Sequence, residues 1–105
     1  MNAREAEVLR LFAAEVRRHF PTARIWAFGS RVRGEAREDS DLDVCVVVDE
    51  LDEAADKAIM RIAWRVGFDH DLLISTVTYS GDEFGRGPLA ASPLVRTVRE
   101  EGVAA

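Results

Sequence analysis

Two aspartates, Asp41 and Asp43, stand two residues apart at the head of the run Leu42 to Val48. That run is apolar and β-branched, the pattern of a strand buried on both faces. Side chains on a strand repeat every two residues. Both carboxylates therefore point to one face, about 6.6–7 Å apart along the backbone. Carboxylates so placed repel unless a cation sits between them, and an all-oxygen donor set selects hard ions such as Mg²⁺ or Mn²⁺. Gly29-Ser30 directly follows the short strand pattern of residues 24–28. Glycine allows a sharp turn and lets a phosphate come close to the backbone. The Ser30 hydroxyl and the amides after it can donate to phosphate oxygens. Arg31 and Arg33 lie in the same loop and supply the planar, bidentate donors that phosphate favours. Asp71 opens a third apolar stretch, and it adds a third carboxylate at this edge if that strand neighbours the second. Two metals about 3.5–4 Å apart could then clamp the attacking and leaving oxygens of a phosphoryl transfer.

These residues need elements to position them. Residues 3–20 read as an amphipathic helix, with Val8, Leu9, Phe12, Val16 and Phe20 at steps of three and four, stopped by Pro21. Residues 29–40 are polar and read as a loop with room for one helical turn. A second helix spans roughly residues 50–66, with an apolar stripe of Leu51, Ala55, Ala58, Ile59, Ile62 and Val66 and with Gly67 as its terminator. Residues 71–76 read as the third strand, and residues 79–88, with three glycines, as a mobile loop. Ser92-Pro93 is an N-cap followed by proline at the first helical position. That last helix runs to about Glu101, with Gly102 just beyond. The order α-β-loop-β-α-β-α predicts an α/β or α+β domain, a small mixed sheet flanked by helices. Trp26 and Trp64 are expected in the core and His19 in a structural role; His70 reads as a structural strand-end residue, with a place in the wall of the site as the alternative.

Competing chemistries fit less well. Asp39, Asp41 and Asp43 match the first liganding positions of an EF-hand loop, with Glu50 at position twelve. Position six, where that loop requires glycine, is Val44. Ser30 lacks the Gly-x-Ser-x-Gly setting of a hydrolase nucleophile. The single cysteine, Cys45, excludes an intrachain disulfide, and no Cys/His cluster has zinc spacing.

The 105 residues suit a single domain spanning 1–105, with no second lobe for a large substrate. The net charge of −5 weighs against a nucleic-acid binder that works by phosphate neutralisation, so any positive field must be local. The charged opening MNAREAEVLR carries no apolar signal-peptide core, and no apolar run is long enough to span a membrane. The expected location is the cytoplasm.

The stretch FGSRVRGEAREDSDLDVCVVV resembles the signature of the DNA polymerase β-like nucleotidyltransferase superfamily: strand, Gly-Ser, a loop of about ten residues, then Asp-x-Asp on a strand. Chain length, Arg-x-Arg-Gly after Gly-Ser, and the C-terminal SPLVRTVREEG resemble its minimal nucleotidyltransferase subfamily. The likeness implies that Gly29 and Ser30 hold the β/γ phosphates of ATP. Asp41 and Asp43 would ligate Mg²⁺ or Mn²⁺. Asp71 would be the third carboxylate and base, with Asp69 its rival. It further implies AMP transfer to a hydroxyl acceptor, a tyrosine of a partner HEPN-domain toxin, which makes this chain the antitoxin. Two alternatives stand beside that reading. One is an antitoxin that caps its partner without chemistry. The other is nucleotidyl transfer to an RNA end or a small molecule.

Overall fold

A computed structural model describes residues 1–105. The elements run α1 (Ala3–His19), β1 (Arg24–Phe28), α2 (Ser30–Arg33), β2 (Leu42–Val48), α3 (Glu53–Asp69), β3 (Ile74–Ser80), α4 (Gly81–Gly85), α5 (Pro93–Glu101) and β4 (Val103–Ala104), with a 3₁₀ turn over Pro88–Ala91. The four strands form one mixed sheet in the order β3-β2-β1-β4. β1 pairs antiparallel with β2 and with β4, while β2 pairs parallel with β3 through the α3 crossover. The expected α/β architecture with a small mixed sheet is what forms.

β2 is apolar on both faces because both faces are covered. Leu42, Val44, Val46 and Val48 pack with Val8, Leu9, Phe12 and Val16 of α1 and with Ile59, Ile62 and Ala63 of α3. Cys45 and Val47 point the other way, into a smaller cluster with Tyr79, Phe84, Val95 and Val98. Burial pushes the Cys45 thiol up to about 12, so it is an inert core group. Asp43 shares the Cys45 face by strand alternation. α4 and α5 cover that face only from Cys45 onward, and Asp41 and Asp43 are left half-exposed at its open end.

The helix ends follow local chemistry. Asn2 and Glu5 cap α1 reciprocally, with bonds of 2.8 and 2.7 Å. Ser92 caps α5 by accepting from the Val95 amide at 3.2 Å, with Pro93 in the first turn as the sequence signals. No helix is long and apolar enough to cross a membrane.

Four expectations are corrected. α3 does not stop at Gly67 but continues to Asp69, because Gly67 is a packing residue. A Cβ there would meet the Leu72 carbonyl at 2.6 Å. This later ending moves β3 to Ile74–Ser80, with residues 71–73 in the turn before it. Residues 79–88 are not one loop. Ser80 and Glu83 form a capping box that starts α4, and Phe84 of α4 is buried. Trp26 does join the small cluster, stacked 5.2 Å from Phe84. Trp64 instead is 65% exposed and stacks on Phe68, itself 73% exposed.

Candidate active site

The turn between β1 and α2 sets the geometry. Gly29 adopts φ 82°, ψ −157°, a conformation costly to any residue with a Cβ. A Cβ at this position would also collide with Oδ2 of Asp43. One glycine thus satisfies two constraints, the turn itself and the close approach of the turn to the carboxylate. Ser30 follows as the first residue of α2, half-buried. The Gly29 carbonyl accepts from the amides of Val32 and Arg33, each at 3.1 Å, which closes the turn. Gly29→Ala is therefore expected to unfold at a lower temperature by calorimetry, by ~2–4 kcal/mol of combined strain and overpacking.

Asp43 sits beneath this turn, directly across from Phe28 on β1. Burial raises its carboxyl above the usual range, and the charge of Asp41 raises it further. The Arg33 guanidinium pulls in the opposite direction. Such a carboxyl is unfavourable as a bare anion and is relieved by a cation. Asp41 and Asp43 offer oxygen donors only, on one face. That set fits one hard divalent ion, which commonly takes one or two carboxylates and completes its shell with water and substrate phosphates.

The structure brings together Gly29, Ser30, Asp41, Asp43 and the rim residue Arg33. Arg33 is exposed and pairs with Glu35 at 3.0 Å and Glu101 at 3.3 Å. Two other expected members lie elsewhere. Arg31 is buried, donating to Glu5 Oε2 at 2.7 Å, to the Ser40 carbonyl at 2.9 Å from Nε, and to the Glu38 carbonyl at 3.3 Å. Its donors are turned inward to protein oxygens, so it clamps the loop ahead of Asp41 and does not face a phosphate. Asp71 sits in the turn after α3 at φ 52°, exposed, beside Trp64, Phe68 and Leu73. Its carbonyl and that of His70 accept from Arg4 at 2.6 and 2.7 Å. It precedes β3 by three residues, and no group of three His, Cys, Asp or Glu side chains converges anywhere in the structure. Asp69, at the end of α3, does not join the pair either. The three-carboxylate arrangement is thus not formed.

The residue beside Asp43 on β3 is Ser75, in parallel register. Sequence reasoning missed it. The available signal was alternation: Ile74 joins the large core, while Val77 and Tyr79 pack on the small one, and this puts Ser75 on the Asp43 face.

A glycine turn over paired carboxylates at strand ends of a mixed sheet is suited to holding a phosphate and a hard cation together. The chain belongs to the nucleotidyltransferase domain family, whose sequence profile matches residues 9–104. A solved structure assigned by inference to the minimal nucleotidyltransferases is 33% identical, with TM-score 0.57, over 96% of this chain and 88% of that one. The protein adenylyltransferase MntA of Thermococcus cleftensis is 46% identical over 44 residues, 42% of this chain and 44% of that protein. The matches to curated relatives span between 40% and 58% of those proteins' lengths. The fold is also that of an MntA–HpeT toxin–antitoxin structure, with TM-score 0.60 at 20% identity over 99% of this chain and 72% of that one. A toxin–antitoxin structure with AMP-PNP has TM-score 0.58 at 21% identity, over 89% of this chain and 68% of that one.

Proposed function

We propose that this chain, acting as a single cytoplasmic domain, transfers AMP from ATP to a hydroxyl acceptor, a tyrosine of a partner HEPN-domain toxin, and so acts as its antitoxin. The observation that carries this reading is the contact of Gly29 with Asp43, which brings the phosphate turn and the cation-binding pair to one spot. In this reading the Gly29-Ser30 turn takes the β/γ phosphates, and Arg33 contributes charge at the rim. Asp41 and Asp43 hold Mg²⁺ or Mn²⁺, which neutralises charge on the triphosphate. The acceptor oxygen attacks the α-phosphorus. The new O–P bond forms as the bond to the bridging oxygen breaks, and pyrophosphate leaves. Positioning and charge compensation are what the chain contributes.

The partner reading gains support from one surface. Met60, Trp64, Phe68 and Leu73 are exposed together along α3 and the turn before β3. Patches of this kind on a small protein mark interaction surfaces. The strip reaches the open edge of β3 at Ser75, so an acceptor carried by a protein seated there would enter beside Asp43. The relatives named as adenylyltransferases and as toxin–antitoxin structures are consistent with such a partner.

Incubation with the adjacent gene's product as the candidate toxin, labelled ATP and Mg²⁺ tests the proposal. Label is expected on a toxin tyrosine with the wild-type chain and absent with Asp43→Ala. No transfer from the wild type to that toxin would overturn it. Capping without chemistry is the second reading, favoured by the lack of a third carboxylate at the site. It predicts that an Asp41/Asp43 double alanine variant still binds the toxin and still protects cells.

A further inference from the structure

We infer that Ser75 occupies the place facing Asp43 where a third carboxylate would have to stand, so that this chain holds one divalent cation with its nucleotide and lacks a carboxylate base for the acceptor. The inference rests on the nucleotidyltransferase reading and refines its site. Ser75 is the parallel register partner of Asp43, on the adjacent strand about 4.8 Å away. Register partners project to the same face. The neighbours agree: Val77 and Tyr79, two and four residues on, pack with Cys45 and Val47, which follow Asp43 at the same intervals. Ser75 is exposed, so it borders the space in front of the pair.

A serine hydroxyl carries no charge and cannot take up a proton near neutral pH. It can donate one hydrogen bond to Asp43 or to a bound water. Asp41, just ahead of β2, and Asp43 within it are enough for one cation that also binds triphosphate oxygens. A second cation, on the acceptor side, would have no charged ligand of its own, because neither Asp69 nor Asp71 faces the pair. The acceptor's proton must therefore pass to solvent or to a base on the partner. An acceptor that ionises readily suits such a site. A phenol, with pKa about 10, meets that condition far better than water, which ionises much less readily.

Ser75→Asp tests this by cation count, independent of turnover. Mn²⁺ is titrated into the full chain with AMP-PNP present and followed by electron paramagnetic resonance. The wild type, Ser75→Ala and Asp71→Asn are each expected to take up one Mn²⁺ tightly. Ser75→Asp is expected to gain a second, at least about tenfold tighter than any weak second binding by the wild type. Circular dichroism and a cooperative thermal melt in the absence of ligand would establish that the variant is folded. Two equally tight Mn²⁺ in the wild type, loss of a cation in Asp71→Asn, or no gain in folded Ser75→Asp would overturn the inference and leave the nucleotidyltransferase reading standing. A wild-type chain that binds no Mn²⁺–AMP-PNP overturns both.

Discussion

In the proposed reaction, replacing Asp43 with alanine is expected to lower AMP transfer by on the order of a thousandfold while leaving the chain folded, and in the absence of metal at least as heat-stable as the wild type. The two halves of this expectation have one cause. Asp43 is held against the Gly29 turn, beside Asp41, with its carboxyl raised chiefly by burial. A carboxyl raised in the folded state binds its proton more tightly there than in the unfolded chain. Stability from this group is thus full at low pH and declines as pH rises through the raised value. At neutral pH the bare site is therefore a source of mild destabilisation, which alanine removes. Mg²⁺ with a nucleotide reverses the ranking, since ligand binding to the folded state stabilises only chains that bind it. The measurement is a pair of thermal melts per variant, with and without Mg²⁺ and AMP-PNP, alongside the labelling assay. A large ligand-induced rise in Asp43→Ala equal to that of the wild type would remove Asp43 from the site.

The parts of this site legible in the sequence were those fixed by local geometry. The Asp41/Asp43 spacing is a strand property, and β2 announces itself by seven residues with no break in pattern. Gly29-Ser30 falls where the β1 pattern ends, and Ser92-Pro93 marks a helix start that needs no distant partner. What escaped depends mostly on how elements pack, which the local pattern does not carry. Leu72-Leu73-Ile74 looks like strand throughout, yet α3 is longer than its stripe suggests. Gly67 packs against the Leu72 carbonyl, and the parallel ladder starts only as Leu42 donates to the Leu73 carbonyl at 2.8 Å. With the strand starting at Ile74, it is Ser75 and not Asp71 that stands beside Asp43. Trp64 was misplaced because its side of α3 faces neither layer of the core, and hydrophobicity alone does not distinguish a core face from an exposed one. The Ser80-x-x-Glu83 capping box starts α4 inside a stretch whose three glycines make it read as loop.

Arg31 separates local from distant information most clearly, and its removal should have the largest effect on stability. From sequence it is one of two arginines beside a phosphate turn. In the fold its guanidinium is spent on Glu5, 26 residues away, and on carbonyls of the loop ahead of Asp41. The pair is almost wholly buried, at 8% and 6% side-chain exposure. Burial alone would raise the Glu5 carboxyl; the Arg31 guanidinium and the Asn2 amide outweigh it and hold the carboxyl below its usual value. Arg31→Ala leaves Glu5 buried without its partner and frees the loop carbonyls, so a loss of about 3–5 kcal/mol is expected in urea unfolding. The variant's deficit should shrink on acidification. Glu5 has a lowered folded pKa, so its share of the stability is present above the usual carboxylate range and is lost as pH falls through the lowered value. A phosphate-contacting arginine would behave differently: its alanine variant would fold normally and lose only nucleotide affinity. Arg33→Ala, at the exposed rim, is the comparison. It should melt close to the wild type and weaken AMP-PNP binding. If the two variants exchanged these behaviours, Arg31 would have to be returned to the phosphate site. The clamp it forms from α1 to the loop would then not be what sets Asp41 in place.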